Sequence, residues 1–112
     1  METDPRKWKA VCWQDAKSIP AKPGCYALVD ANGNVLYIGR SKILWNRLRN
    51  PSNHPGFQRG DVDYTTTKIT WIEGWNAYDS ERSLIIKWKP SFCQERIKTE
   101  GLSAEISSCT LH

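Results

Sequence analysis

An asparagine-glycine pair set between two alternating apolar runs restricts this chain more than any other feature. In Ala31-Asn32-Gly33-Asn34, Asn32 and Gly33 suit the two central positions of a type I′ turn, both of which need positive φ. A two-residue loop there fixes a β-hairpin register. Ala31 then faces Asn34, Asp30 faces Val35, Leu28 faces Tyr37, and Tyr26 faces Gly39. Side chains alternate between faces with period two. Tyr26, Leu28, Val35 and Tyr37 therefore share one face, and Ala27, Val29, Leu36 and Ile38 the other. Tyr26 and Tyr37 become diagonal neighbours, roughly 7–8 Å apart at the backbone. Gly39 opposite Tyr26 leaves the phenol uncrowded. A slip of one residue would part the two tyrosines.

The spacing predicts strands over Cys25–Val29 and Val35–Ile38, then a helix from Lys42 to Arg49 with Ser41 as N-cap and Pro51 as its end. That helix brings Arg47 near the tyrosines. Trp8–Ile19 reads as a short amphipathic lead-in, part helix, stopped by Pro20 and Pro23. Asn50–Thr67 is rich in turn formers and reads as a long loop. Lys68–Glu73 alternates as a third strand, and Asn76 begins a helix through Trp88 that Lys89-Pro90 breaks. On that helix Ala77, Glu81, Leu84, Ile85 and Trp88 form one face. Glu81 is the one charge on the stripe. A carboxylate facing a core must be paired, hydrogen-bonded or metal-bound. It is either a boundary residue paired with an arginine such as Arg47, or a ligand for Mg²⁺, which often needs only one or two protein carboxylates.

The chain has 112 residues and a formal net charge of +4, and is expected to form one domain over 1–112 with its core at about 22–99. Residues 1–56 hold nine Lys/Arg against four Asp/Glu, and residues 57–112 hold seven against eight. The basic half is the hairpin half, which favours a polyanionic partner, above all nucleic acid. Four cysteines stand without Cys-x-x-Cys spacing, and His54 and His112 complete no zinc pattern. They read as reduced and intracellular. No apolar run approaches membrane-spanning length and no secretory h-region opens the chain, so a cytoplasmic protein with no membrane contact is expected.

In order, Gly24-Cys25-Tyr26, the Asn-Gly turn, Tyr37-Ile38-Gly39-Arg40, helix Arg47, and helix Glu81 before Lys89-Pro90 resemble the GIY-YIG endonuclease family over about Lys22 to Cys93. The resemblance implies an α+β fold, a three-stranded antiparallel sheet flanked by helices in the order β-β-α-β-α. It also implies cleavage of phosphodiester bonds, usually in DNA, with one divalent metal, Mg²⁺ or Mn²⁺. The catalytic set it implies is Tyr26, Tyr37, Arg47 and Glu81, supported by Gly39, Arg40, His54 and Cys93, all converging on one hollow. Glu81 is the metal ligand, Arg47 stabilises the phosphate, and Tyr26 activates water with Tyr37 as partner, or the reverse. Cys25 replaces the usual isoleucine. Cys93 stands where many members carry asparagine, with Gln94 as a substitute beside it. Pro51 stands where some carry tyrosine or histidine, leaving His54 as the nearest candidate.

Arg40, Lys42, Arg49, Gln58 and Arg59 are the expected contacts to nucleic acid, double-stranded DNA first, with the protein acting as a monomer or dimer. Two other functions fit the same residues. One is a nucleic-acid-binding module that kept the fold and lost catalysis, as Cys93 would permit. The other is a protein-interaction domain using Trp8, Trp13 and Trp45 as an exposed aromatic patch. A covalent phosphotyrosine intermediate is disfavoured, since nothing supplies the apparatus to hold the cut strand.

Overall fold

The computed structural model describes residues 1–50, 63 and 65–93. Four strands form one antiparallel sheet: β1 (Lys9–Cys12), β2 (Gly24–Val29), β3 (Val35–Ser41) and β4 (Lys68–Glu73), in the spatial order β1-β4-β2-β3. Among the described residues, α1 (Leu44–Leu48), α2 (Trp75–Asp79) and α3 (Glu81–Trp88) accompany it. The α+β architecture is the expected one, with one strand more. Lys9–Cys12 belongs to the stretch read as a lead-in, and it pairs with the outer edge of β4. Its four residues are too few and too exposed to carry a legible alternation. Only the next segment, Trp13–Ser18, is helical, as a 3₁₀ turn.

The hairpin reaches the expected tyrosine register by an unexpected route. The amide of Asp30 donates to the Asn34 carbonyl at 3.0 Å, and the amide of Gly33 donates to the Asp30 carbonyl at 3.1 Å. Gly33, at φ 83°, is the turn's left-handed residue. The loop therefore has three residues, Ala31, Asn32 and Gly33, in place of a two-residue type I′ turn. The Asp30 carboxylate favours this longer loop by accepting from the amides of Asn32 at 3.0 Å and Asn34 at 2.8 Å. Val29 consequently faces Val35, one residue away from expectation. Leu36 then goes unpaired as a β-bulge, and the next pairs are Leu28 with Tyr37 and Tyr26 with Gly39, as expected. Loop and bulge cancel.

β2 lies between β3 and β4 and is buried along its whole length. Its alternating residues meet different helices. Tyr26 touches α1 through Arg47, and the Cys25 thiol donates to the Ala77 carbonyl of α2 at 2.8 Å. Gly24 has its own constraint: a Cβ there would run into the Ile72 carbonyl of β4. The α1 helix is shorter than expected. Ser41 ends β3, its hydroxyl bonding to Ile43, while the amides of Leu44 and Trp45 donate to the Lys22 and Pro20 carbonyls at 2.8 and 3.1 Å. Backbone of the Pro20–Lys22 segment thus replaces the expected side-chain cap.

The expected 76–88 helix is two helices broken at Ser80. The Ser80 hydroxyl donates to the Asn76 carbonyl at 2.7 Å, a back-bond that bends helices. The apolar face survives the break, with Ala77, Glu81, Leu84 and Ile85 all buried. Lys89, left-handed at φ 48°, ends α3 with its amide on the Ile85 carbonyl, ahead of Pro90. The aromatic patch anticipated from Trp8, Trp13 and Trp45 is not formed. Trp8 belongs to the core, and Trp13 and Trp45 are half-buried. Among the described residues no helix is long and apolar enough to cross a membrane.

Candidate active site

β2 and β3 deliver two phenols to one spot. The rings of Tyr26 and Tyr37 stack with centroids 6.0 Å apart and planes 20° from parallel. Tyr26 is fully buried, and its ring lies directly over Gly39. A Cβ on Gly39 would stand 2.5 Å from the Tyr26 hydroxyl, so glycine at this point is a steric demand of the phenol. From α1, Arg47 Nε donates to the Tyr26 oxygen at 3.4 Å. Burial pushes the Tyr26 hydroxyl up to about 12, against the opposing pull of Arg47. Tyr26 therefore holds its proton at neutral pH.

A second group forms on the other side of the hairpin. Arg40 follows Gly39 and by alternation leaves from the opposite face of β3. Its guanidinium stacks over the Tyr78 ring, 4.6 Å from the centroid, and its Nε lies 4.0 Å from Glu81 Oε1. Glu81 is 1% exposed, and neither carboxylate oxygen has a hydrogen-bond partner among the described residues. Desolvation pushes its carboxyl up to about 8, with Arg40 opposing. The Cys25 thiol beside this group is pushed well above its ordinary range by burial, with the Glu81 charge adding to the effect.

The edge strand β3 joins the two groups, since Gly39 underlies Tyr26 and the next residue reaches Glu81. They also communicate electrostatically, because the Glu81 charge raises the Tyr26 phenol further. Glu81 pairs with Arg40, not with Arg47 as considered from sequence. The acid thus approaches from across the edge strand rather than within the phenol face. Among the described residues no three His, Cys, Asp or Glu side chains gather as a metal cage. A buried carboxylate lacking hydrogen bonds is nevertheless a fitting single ligand for a hard cation that keeps most of its water.

Cys93 is buried, its thiol directed at the Ile38 carbonyl at 3.7 Å. Lys42 and Arg49 lie exposed before and after α1, and the Arg49 guanidinium covers the Trp45 ring at 4.7 Å. His54, Gln58, Arg59 and Gln94 lie outside the described residues. Sequence reading missed Tyr78, although its position three residues before Glu81 on a helical stretch was a usable signal.

Comparison with known proteins agrees with the fold. A family model described as the UvrC-like GIY-YIG domain matches residues 22–93. UvrABC system protein C of Chlamydia abortus is 37% identical over 82 residues, covering 68% of this chain and 14% of that protein. The same protein of Lactobacillus johnsonii is 61% identical over 33 residues, which are 30% of this chain and 6% of the relative. The chain thus spans about a seventh or less of the curated relatives it matches. The GIY-YIG N-terminal endonuclease domain of UvrC from Thermotoga maritima, solved with its catalytic magnesium, superimposes with a TM-score of 0.57 at 26% identity. That match covers 82% of this chain and 98% of the other. An asparagine-to-alanine variant of the same domain, also solved with its catalytic cation, gives 0.56 at 28% identity. The chain belongs to the UvrC-like GIY-YIG domain family.

Proposed function

We propose that this domain is an endonuclease that hydrolyses phosphodiester bonds in DNA with a bound Mg²⁺ or Mn²⁺. The observation that carries the proposal is Glu81: a carboxylate buried without hydrogen bonds among the described residues, 4.0 Å from the Arg40 guanidinium and across the edge strand from Arg47 and the two stacked phenols. Glu81 would hold the cation, which when bound supplies Lewis-acid stabilisation of charge on the phosphate and the leaving oxygen. Arg47 offers its guanidinium fork to the phosphate while its Nε anchors Tyr26. The raised Tyr26 hydroxyl favours the exchanged assignment of the phenols. Tyr26 acts as a protonated, fixed positioning group, and Tyr37 is the phenol that meets the attacking water. Arg40, Lys42 and Arg49 contact the flanking backbone, and Gly39 keeps space for Tyr26.

Double-stranded DNA is the proposed substrate and the cytoplasm the proposed setting, with the domain acting as a monomer or dimer. The experiment is nicking of supercoiled plasmid with and without Mg²⁺. Metal-dependent turnover that falls at least about 100-fold in Glu81→Gln is expected. Robust cleavage by that variant refutes the metal role. A second reading, a binding module without catalysis, is favoured by Cys93, whose buried thiol cannot donate as an amide would. It predicts salt-dependent DNA retention with no nicking under any metal.

A further inference from the structure

Arg40 and Glu81 are a guanidinium and an acid side by side, yet they do not form the bond that pairing favours. A guanidinium–carboxylate hydrogen bond closes to about 2.7–2.9 Å and is commonly bidentate. Here Nε stands 4.0 Å from Oε1, and both carboxylate oxygens lack a hydrogen bond among the described residues. The guanidinium is instead laid over the Tyr78 ring, 4.6 Å from its centroid. Tyr78 is itself braced by Trp75, whose ring meets it edge-on at 5.4 Å and 71°. Tyr78 and Glu81 flank the break at Ser80, where α2 ends and α3 begins. Arg40 is thus shared between a π face and an acid three residues apart.

Resting on Glu81 as the metal ligand, we infer that Tyr78 is a positioning residue that holds the Arg40 guanidinium off Glu81, keeping the carboxylate open for a divalent cation and the arginine free for a phosphate. A bound cation itself supplies the charge that ionises a buried acid, whereas a closed ion pair with Arg40 would occupy the oxygens that cation requires. Stacking resolves the conflict. The ring attracts the cation through its quadrupole without taking up any of its N–H donors. When Glu81 is committed to a metal, the guanidinium remains tethered above the ring with its donors pointed outward. Removing the π face lets Arg40 fall onto Glu81 and compete with the metal. An arginine suits this arrangement, because a planar guanidinium can stack on the ring and still donate from its edge.

The test is binding of Mn²⁺ alone, followed by the loss of its free-ion EPR signal, at one fixed pH and with no nucleic acid present. Glu81→Gln sets the baseline. Tyr78→Phe keeps the ring and is expected to bind as the unaltered chain does. Tyr78→Leu is expected to bind about three- to tenfold more weakly, the range a partly buried cation–π contact can hold back. Tyr78→Met repeats the measurement with a different side chain should the leucine variant fail to fold. Arg40→Gln added to either variant is expected to restore the affinity, which a merely structural loss would not do. If Glu81-dependent binding is present but unchanged in Tyr78→Leu and Tyr78→Met, or is not restored by Arg40→Gln, the role of Tyr78 is refuted and the metal assignment stands. If the unaltered chain binds no more Mn²⁺ than Glu81→Gln, both fall.

Discussion

Glu81 makes the metal-free protein sensitive to alkali, and the effect is large enough to measure directly. Its carboxyl is raised from 4.5 to about 8 by burial, so the folded state holds this proton much more tightly than the unfolded chain does. Below pH 4.5 the group is neutral in both states and folding is not penalised. As pH rises the unfolded chain ionises first, and each pH unit then removes about 1.4 kcal/mol of stability until the folded carboxyl ionises as well. From 4.5 to about 8 the total loss is about 5 kcal/mol, against about 5–15 kcal/mol for a whole domain of this size. Glu81→Gln removes the titration while leaving a side chain of nearly the same shape. Urea unfolding in chelator, followed from about pH 5 to about pH 9, should show the two proteins converging at the acid end. The variant should be more stable by several kcal/mol at the alkaline end. Saturating Mg²⁺ should close that gap for the unaltered chain only, since a ligand that binds the folded state stabilises it. Parallel stability curves across this range would refute the reasoning, because Glu81 would then be solvated or already satisfied by a partner.

The remaining expectations concern the phenol and the basic face. Gly39→Ala drives a methyl group toward the Tyr26 hydroxyl, so it should cost about 1–3 kcal/mol in chemical unfolding and depress nicking, whereas an alanine that leaves stability and turnover unchanged would mean the phenol is free to move. Lys42→Ala and Arg49→Ala should each weaken DNA binding irrespective of sequence and reduce the slope of log affinity against log salt by about 1, as titrations by fluorescence anisotropy would report. A slope that does not change would remove those residues from the backbone contacts.

Pairing and periodicity were legible in the one-dimensional pattern. Alternation around Asn32-Gly33 put Tyr26 and Tyr37 on one face, and the 3.6-residue period put Glu81 on a buried stripe. These survive because they depend on local geometry, strand pleat and helical turn, which each residue obeys wherever the segment is placed. The register survived for a different reason: the three-residue loop shifted it by one and the bulge at Leu36 shifted it back. Burial of the tyrosine face admits only one register, and the backbone adjusted to meet it.

What the tertiary structure alone decided was which charges meet. No spacing rule pairs Glu81 with Arg40 rather than Arg47, or lays Arg40 on Tyr78, because those residues lie on segments about forty positions apart. Nor does local pattern announce β1, a four-residue strand that exists because the outer edge of β4 needs hydrogen-bond partners. Sequence by itself determined the kinds of group available and the face each would take on its own element. Packing of α1 and of the α2–α3 pair on either side of the hairpin determined the distances between them. Those distances set how far burial raises Glu81 and Tyr26, since desolvation and Coulomb effects depend on separation in space and not along the chain.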